Sequence, residues 1–148
     1  DASFKIDEIL SEVGDTAESE TLLRCRPVID QCFSCDSLEQ VLDALDACSD
    51  EWSKVTASAI SKKSPTSLKV TFRQLREGGA LDFEACMVME LRLALRFMED
   101  HDFYEGVRAV VIEKDNQPIW QPNSISEVTN ETVQRYFRPL AGGDLIFN

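Results

Sequence analysis

His101-Asp102-Phe103-Tyr104-Glu105-Gly106-Val107-Arg108-Ala109-Val110-Val111-Ile112-Glu113-Lys114 reads as a capped helix, and the chain around it repeats the same helical grammar. Asp102 is placed to act as N-cap, with Glu105 three residues on to reach back to the cap amide in a capping-box spacing. Val107, Val110 and Val111 stand at i, i+3 and i+4 and define one apolar stripe. Gly106 inside such a helix costs roughly 1 kcal/mol against Ala, so a close neighbour is expected to need the room.

Working outward, helical signals follow one another with short breaks. Pro27 is expected as the first residue of a helix carrying Val28, Ile29, Cys32 and Phe33, broken by Ser34-Cys35-Asp36. Ser37 to Gln40 is a capping box, opening a helix whose face is Leu38, Val41, Leu42 and Leu45. A third helix should start near Ser49-Asp50-Glu51, show Trp52, Val55, Ala59 and Ile60, and stop before Ser64-Pro65, because the residue ahead of a proline is pushed out of the helical region. Ser64 then caps the next helix, with Leu68, Phe72 and Leu75 on one side, Lys69, Arg73 and Arg76 on the other, and Gly78-Gly79 at its end.

Asp82 opens the longest helix, to about Met98, apolar nearly all round and therefore expected to be central and buried on most sides. Beyond Lys114, two prolines set an extended loop in which Trp120 should pack back on the body. Ser124 to Glu127 is a further cap signature, and a last helix runs from about Asn130 to Phe137, ended by Pro139. No alternating strand pattern of useful length occurs. The expectation is an all-α chain of about six to seven helices, with 1–24 an acidic, partly looped N-terminal segment and 25–148 the helical region. Within 1–24, Ile6, Ile9, Leu10 and Val13 offer one weak stripe, and Asp15 to Thr21 reads as loop.

The composition, 43% hydrophobic and 28% charged over 148 residues, is that of one globular domain or a large part of one. No apolar run approaches the ~20 residues of a membrane span. The net charge of -12 is concentrated: residues 1–50 hold 13 acidic and 3 basic side chains, a net of -10. Phosphate contacts need clustered Lys and Arg, so neither nucleic acid nor an anionic membrane is an expected partner. The start at Asp1, with no initiator Met and no targeting segment, reads as a mature product or an excised piece. Cys32-x-x-Cys35 matches a redox or zinc half-site, but no second Cys pair follows and His101 is the only histidine. No metal site is assigned, and reduced, partly buried thiols in an intracellular compartment are expected.

Several ordered motifs resemble one family. Asp102-Phe103-x-Glu105-Gly106-x-x-Ala109, followed by an acidic residue and Lys114, resembles the late helix of the enoyl-CoA hydratase/isomerase (crotonase) superfamily. Lys63-Ser64-Pro65-Thr66-Ser67-Leu68-Lys69-Val70-Thr71, Arg73-Gln74-Leu75-x-Glu77-Gly78, Met89-Glu90-x-Arg92-Leu93 and Lys114-Asp115-x-x-Pro118-x-Trp120-x-Pro122 resemble, within it, the 3-hydroxyisobutyryl-CoA hydrolases. The likeness is densest from Lys63 to Pro122, and Asp144-Leu145-x-Phe147 is similar to that family's usual end. The resemblance implies the C-terminal helical region of a crotonase-type protein, a mitochondrial location and a part in valine breakdown. The implied reaction is hydrolysis of an acyl-CoA thioester without a cofactor, coenzyme A being part of the substrate.

The resemblance also implies where the chemistry sits. Thioester hydrolysis needs N–H donors aimed at the developing oxyanion and a base in reach of water. In the family these belong to a core of repeated ββα units that precedes this portion, so no catalytic residue is assigned here and the 148-residue chain alone is expected to be inactive. Its expected partners are that N-terminal crotonase core, the acyl-CoA substrate and, in isolation, further copies of itself. Ala141-Gly142-Gly143-Asp144-Leu145 is similar to a crotonase oxyanion-hole turn, yet without a helix to follow it reads as a tail turn. In hydratases of the superfamily the Lys after an Ala-Phe-Val-Glu-Lys run is similar to a coenzyme A contact. This chain reads Ala109-Val110-Val111-Ile112-Glu113-Lys114, one residue longer and without the Phe, so Lys114 stands as a candidate substrate contact beside an ordinary solvated Lys. Lys69 and Arg73 have a similar but weaker claim, on a helix expected to face solvent or a partner. A different class of function, a non-catalytic crotonase-like assembly or scaffold module in a larger complex, is the alternative. Intact or lost oxyanion-hole and acidic positions upstream discriminate the two.

Overall fold

The computed structural model describes residues 20–147, and among them there are helices and connecting loops but no strand. The helices are α1 (Glu20–Phe33), α2 (Leu38–Ala47), α3 (Glu51–Ser61), α4 (Pro65–Gly78), α5 (Phe83–Phe97), α6 (His101–Val107) and α7 (Asn130–Phe137). A π turn, Arg108–Ile112, continues α6, and a 3-10 turn, Ile125–Glu127, precedes α7. The starts are chemically marked. The side chains of Ser37, Asp50, Ser64, Asp82 and Thr129 accept the backbone N–H of Gln40, Ser53, Ser67, Ala85 and Thr132, each replacing a bond the first turn cannot make internally.

Two small cores flank α4. On one side Val70 packs with Met89 and Leu93 of α5 and with Val128, Val133 and Tyr136. On the other, Phe72 joins Cys32, Val41 and Leu45, with Trp52 and Ile60 closing the layer from α3. Leu45 and Val70 are completely buried. The tail after α7 is tied down by Arg92, whose guanidinium grips Asp144 at 2.6 and 2.7 Å and also donates to Phe137 O.

The structure corrects five sequence expectations. Pro27 does not open a helix; it lies inside α1, which begins at Glu20 and takes in the end of the expected Asp15–Thr21 loop. The bond it removes is to Leu23 O, on an exposed stretch where water satisfies a carbonyl, so the ring is tolerated. On α3 the buried residue is Ser53, which donates its N–H and hydroxyl to Asp50, while Val55 is 59% exposed. On α4 the buried side is Pro65, Thr66 and Val70, and Leu75 is 72% exposed. Lys69 and Arg73 face neighbours: Lys69 donates to Val128 O and pairs with Glu39, and Arg73 lies 4.3 Å over the Phe137 ring. Finally, α5 buries only Met89 and Leu93, leaving Phe83 75% exposed and Met98 50% exposed. A helix apolar all round needs cover on every side, and the described residues cover only one. The stripe Ile6, Ile9, Leu10 and Val13 lies outside the described residues.

These assignments separate in mutants of the isolated chain. Leu45→Ala is expected to cost about 2–5 kcal/mol of unfolding free energy, the usual range for a fully buried Leu, whereas Leu75→Ala should stay within about 0.5 kcal/mol. Urea denaturation followed by circular dichroism checks both, and equal losses would reverse the assignment of the α4 faces.

Candidate functional site

The segment from α6 to Pro122 is organised by three charged side chains that the chain itself neutralises. Asp102 is buried one residue inside α6 and accepts two bonds from distant segments: Ser64 Oγ at 2.5 Å and Gln121 N at 2.8 Å. Glu105, a turn later and also buried, accepts Ile119 N at 2.7 Å and the Nε and Nη2 of Arg108 at 2.8 and 2.7 Å. Arg108 extends the network to Glu113 at 2.5 Å, Asp115 at 2.7 Å and Gln117 O at 3.2 Å. Buried carboxylates are tolerated only when their lone pairs are filled, and here amides and a guanidinium fill them.

Asp102 is therefore not the N-cap. Asp100 holds that position with no side-chain cap bond, because its carboxylate takes the Tyr136 hydroxyl and Arg135 of α7. Glu105 does not reach back to a cap amide; it points to the loop and to Arg108. The expected stripe is also overturned beyond Val107, since Val110 is 59% exposed and Val111 and Ile112 are exposed with it. The π turn shifts these residues out of the 3.6-residue register on which the stripe was read. The expectation for Gly106 is not met in full: Trp120 is the close neighbour, but a Cβ there would stand 3.4 Å from its Cη2, an ordinary van der Waals contact. Trp120 packs back as expected, its Nε1 donating to Lys62 O at 3.0 Å.

Lys114 follows the π turn in the left-handed region, at φ 57°. Its conformation is held by its own surroundings, Asn116 N donating to Ala109 O and Asn116 Nδ2 to Lys114 O. Lys114 is exposed and forms no ion pair among the described residues, while its two acidic neighbours, Glu113 and Asp115, are both drawn to Arg108. The ammonium is thus the cation left available at this turn. Sequence reasoning singled out Lys114 as a candidate but not Arg108, whose guanidinium pairs with both of its acidic neighbours. Lys69 and Arg73 are engaged elsewhere, and Ala141-Gly142-Gly143-Asp144 forms a turn closed by Gly143 N on Leu140 O, with Asp144 spent on Arg92.

A family model described as enoyl-CoA hydratase/isomerase matches residues 1–137. The mitochondrial 3-hydroxyisobutyryl-CoA hydrolase of Gallus gallus is 44% identical over 117 residues, 79% of this chain and 30% of that protein. That of Homo sapiens is 41% identical over 119 residues, 80% of this chain and 31% of that protein. The chain spans about 30% of the length of the curated relatives it matches. The crystal structure of a carnitinyl-CoA dehydratase from Mycobacterium thermoresistibile superposes with a TM-score of 0.82 at 29% identity, covering 93% of this chain and 40% of that one. An enoyl-CoA hydratase from Rhodobacter sphaeroides 2.4.1 gives 0.80 at 27% identity, covering 88% and 39%.

The Arg108 guanidinium, and after it the Ile119 amide, hold the Glu105 carboxyl down at about 2, against an ordinary value of 4.5. A carboxylate with a depressed folded-state pKa stabilises the fold above its unfolded pKa and loses that stabilisation as pH falls through the folded value. Stability is therefore expected to decline from about pH 4.5 toward pH 2. Glu105→Gln should be less stable than the parent at neutral pH, with the difference shrinking across that window in acid-titrated thermal melts. A difference that persisted unchanged at pH 2 would remove the charge from the explanation.

Proposed function

The chain belongs to the enoyl-CoA hydratase/isomerase family, and from that premise we propose that it is the C-terminal helical portion of a mitochondrial 3-hydroxyisobutyryl-CoA hydrolase of valine catabolism. The observation that carries this reading is the 41–44% identity, over about four-fifths of this chain, to proteins bearing that name. In the complete protein the thioester is hydrolysed to the free hydroxy acid and coenzyme A, with no cofactor beyond the coenzyme A of the substrate. The groups that polarise the carbonyl and activate water belong to the remainder of the protein. Both buried carboxylates around α6 have another use, since Asp102 and Glu105 fix the loop through Ile119 and Gln121. A carboxylate held at about 2 by an arginine is a poor base at neutral pH.

The exposed apolar residues support a docked, partial unit. Phe83 and Met98 on α5, Phe103 on α6, and Val110, Val111 and Ile112 on the π turn are all solvent-exposed in the described residues. Apolar patches above a few hundred Å² rarely stay uncovered. The crotonase core of the same protein is the cover that this reading supplies. Alone at working concentration, the 148-residue chain is expected to self-associate in light scattering, and a clean monomer would count against an uncovered docking face.

Lys114 is the substrate contact of this portion, meeting the phosphates or adenine of coenzyme A. In the complete protein Lys114→Ala should raise KM for 3-hydroxyisobutyryl-CoA roughly threefold to fivefold with kcat nearly unchanged, the size of effect expected from one exposed charge pair. Release of thiol is the readout. An unaltered KM removes Lys114 from the substrate site, while turnover by the 148-residue chain alone would overturn the placement of the catalytic groups elsewhere.

A further inference from the structure

A pair of thiols lies where the end of α1 meets the connection between α2 and α3. Cys32, in the last turn of α1, is completely buried, and Cys48 is the C-cap residue of α2 and half-buried. Their Sγ atoms are 3.7 Å apart, although the residues are 16 positions apart in sequence. Val28, Val41, Leu45 and Trp52 surround them with apolar side chains. The contact is not the one that the Cys32-x-x-Cys35 spacing suggests. Cys35 sits in the turn beyond α1, half-buried.

We propose that Cys32 and Cys48 form a dithiol site that a peroxide oxidises to an intrachain disulfide, fastening the end of α1 to the α2–α3 connection. A disulfide has its sulfurs about 2.05 Å apart, so the two must approach by under about 2 Å, within the swing of side-chain torsions. The chemistry balances with hydrogen peroxide alone. The more accessible Cys48 sulfur attacks the O–O bond and becomes a sulfenic acid, releasing one water. The Cys32 sulfur then attacks the Cys48 sulfur, and the displaced hydroxide leaves as a second water with the Cys32 proton. The two thiols lose two electrons and two protons, and the peroxide is reduced to two waters.

Burial, and then the neighbouring Cys48, push the Cys32 thiol up to about 11, so Cys32 stays protonated near neutrality and is the resolving partner. The geometry supplies the rest: a sulfenic acid on Cys48 is formed already in contact with the thiol that consumes it. Effective concentration at such a contact far exceeds that of any thiol in solution.

The test is peptide mapping of the complete protein that carries these residues, treated natively with hydrogen peroxide and then alkylated under denaturing conditions. No Lys or Arg lies between Cys32 and Cys48, so cleavage before aspartates is used, which separates 30–35 from 46–49. The expected product is these two peptides linked, lighter by two hydrogens than their reduced sum, and separated again by dithiothreitol. The same link should form in Cys35→Ser, which leaves only Cys32 in the first peptide. A link confined to Cys32 and Cys35 overturns the proposal. So does a sulfinic or sulfonic Cys48 beside a Cys32 that remains alkylatable, and so does an unlinked, unmodified pair. In the wild-type chain, fragmentation of the linked pair between Cys32 and Cys35 assigns the sulfur joined to Cys48, so a folding defect in the variant does not obscure the result, and a link from Cys35 to Cys48 overturns the proposal.

Discussion

Two buried carboxylates, Asp102 and Glu105, set the architecture of the second half of the chain. Each must find donors: Arg108, a turn on, serves Glu105, and the others come from elsewhere in sequence, Ser64 from the start of α4 and the backbone amides of Ile119 and Gln121 from a loop that has no regular structure of its own. The loop is thus positioned by hydrogen bonds to charged groups rather than by burying apolar side chains, the stronger kind of bond per contact. Ser64 does two jobs at once, since its Oγ accepts the Ser67 amide as helix cap and donates to Asp102. Loss of either carboxylate would leave several donors unmet at once, a larger penalty than the loss of one pairwise bond.

The same helix turns ordinary amphipathicity over. Around α6 and its π turn, acidic side chains are inside and Val110, Val111 and Ile112 are outside. On α5, Met89 and Leu93 point to the core while Phe83 and Met98 do not. A domain that ended at its own surface would gain by exchanging those faces. Burying the outer apolar faces as well would add to the stability of the arrangement, and the chain spans only about 30% of the length of the curated relatives it matches.

The all-α class and the starts of α2, α3, α4, α5 and α7 were legible in the sequence, because caps are local: Ser37, Asp50, Ser64 and Asp82 act on amides three residues away. Which face points inward was less legible. Leu75 and Val55 sit on sensible stripes yet are exposed, and the buried residues of the same helices include Thr66 and Ser53. A stripe reports only that some surface will cover it, and where that surface lies beyond the described residues the stripe is uncovered. Asp102 was misread for a different reason. Its spacing to Glu105 satisfies a capping box, but the competing donors, Ser64 and Gln121, are 38 and 19 residues away. Nothing local announces them. The family resemblance carried what periodicity could not, since the motifs from Lys63 to Pro122 are the very segments joined by these long-range bonds.

Lys114 shows how such a network bears on function. A turn containing Glu113, Lys114 and Asp115 sets two negative charges against one positive, a net of -1 that by itself opposes a phosphate. Arg108 changes that balance by taking both acids, at 2.5 and 2.7 Å. Arg108 is itself held by Glu105, whose remaining bond fixes Ile119. The orientation of the loop and the availability of Lys114, unpaired among the described residues, therefore have a common origin in a single guanidinium. A substitution at Arg108 would alter both together, whereas one at Lys114 would alter only the second. That asymmetry separates the two residues by experiment, since only Arg108 also holds the loop.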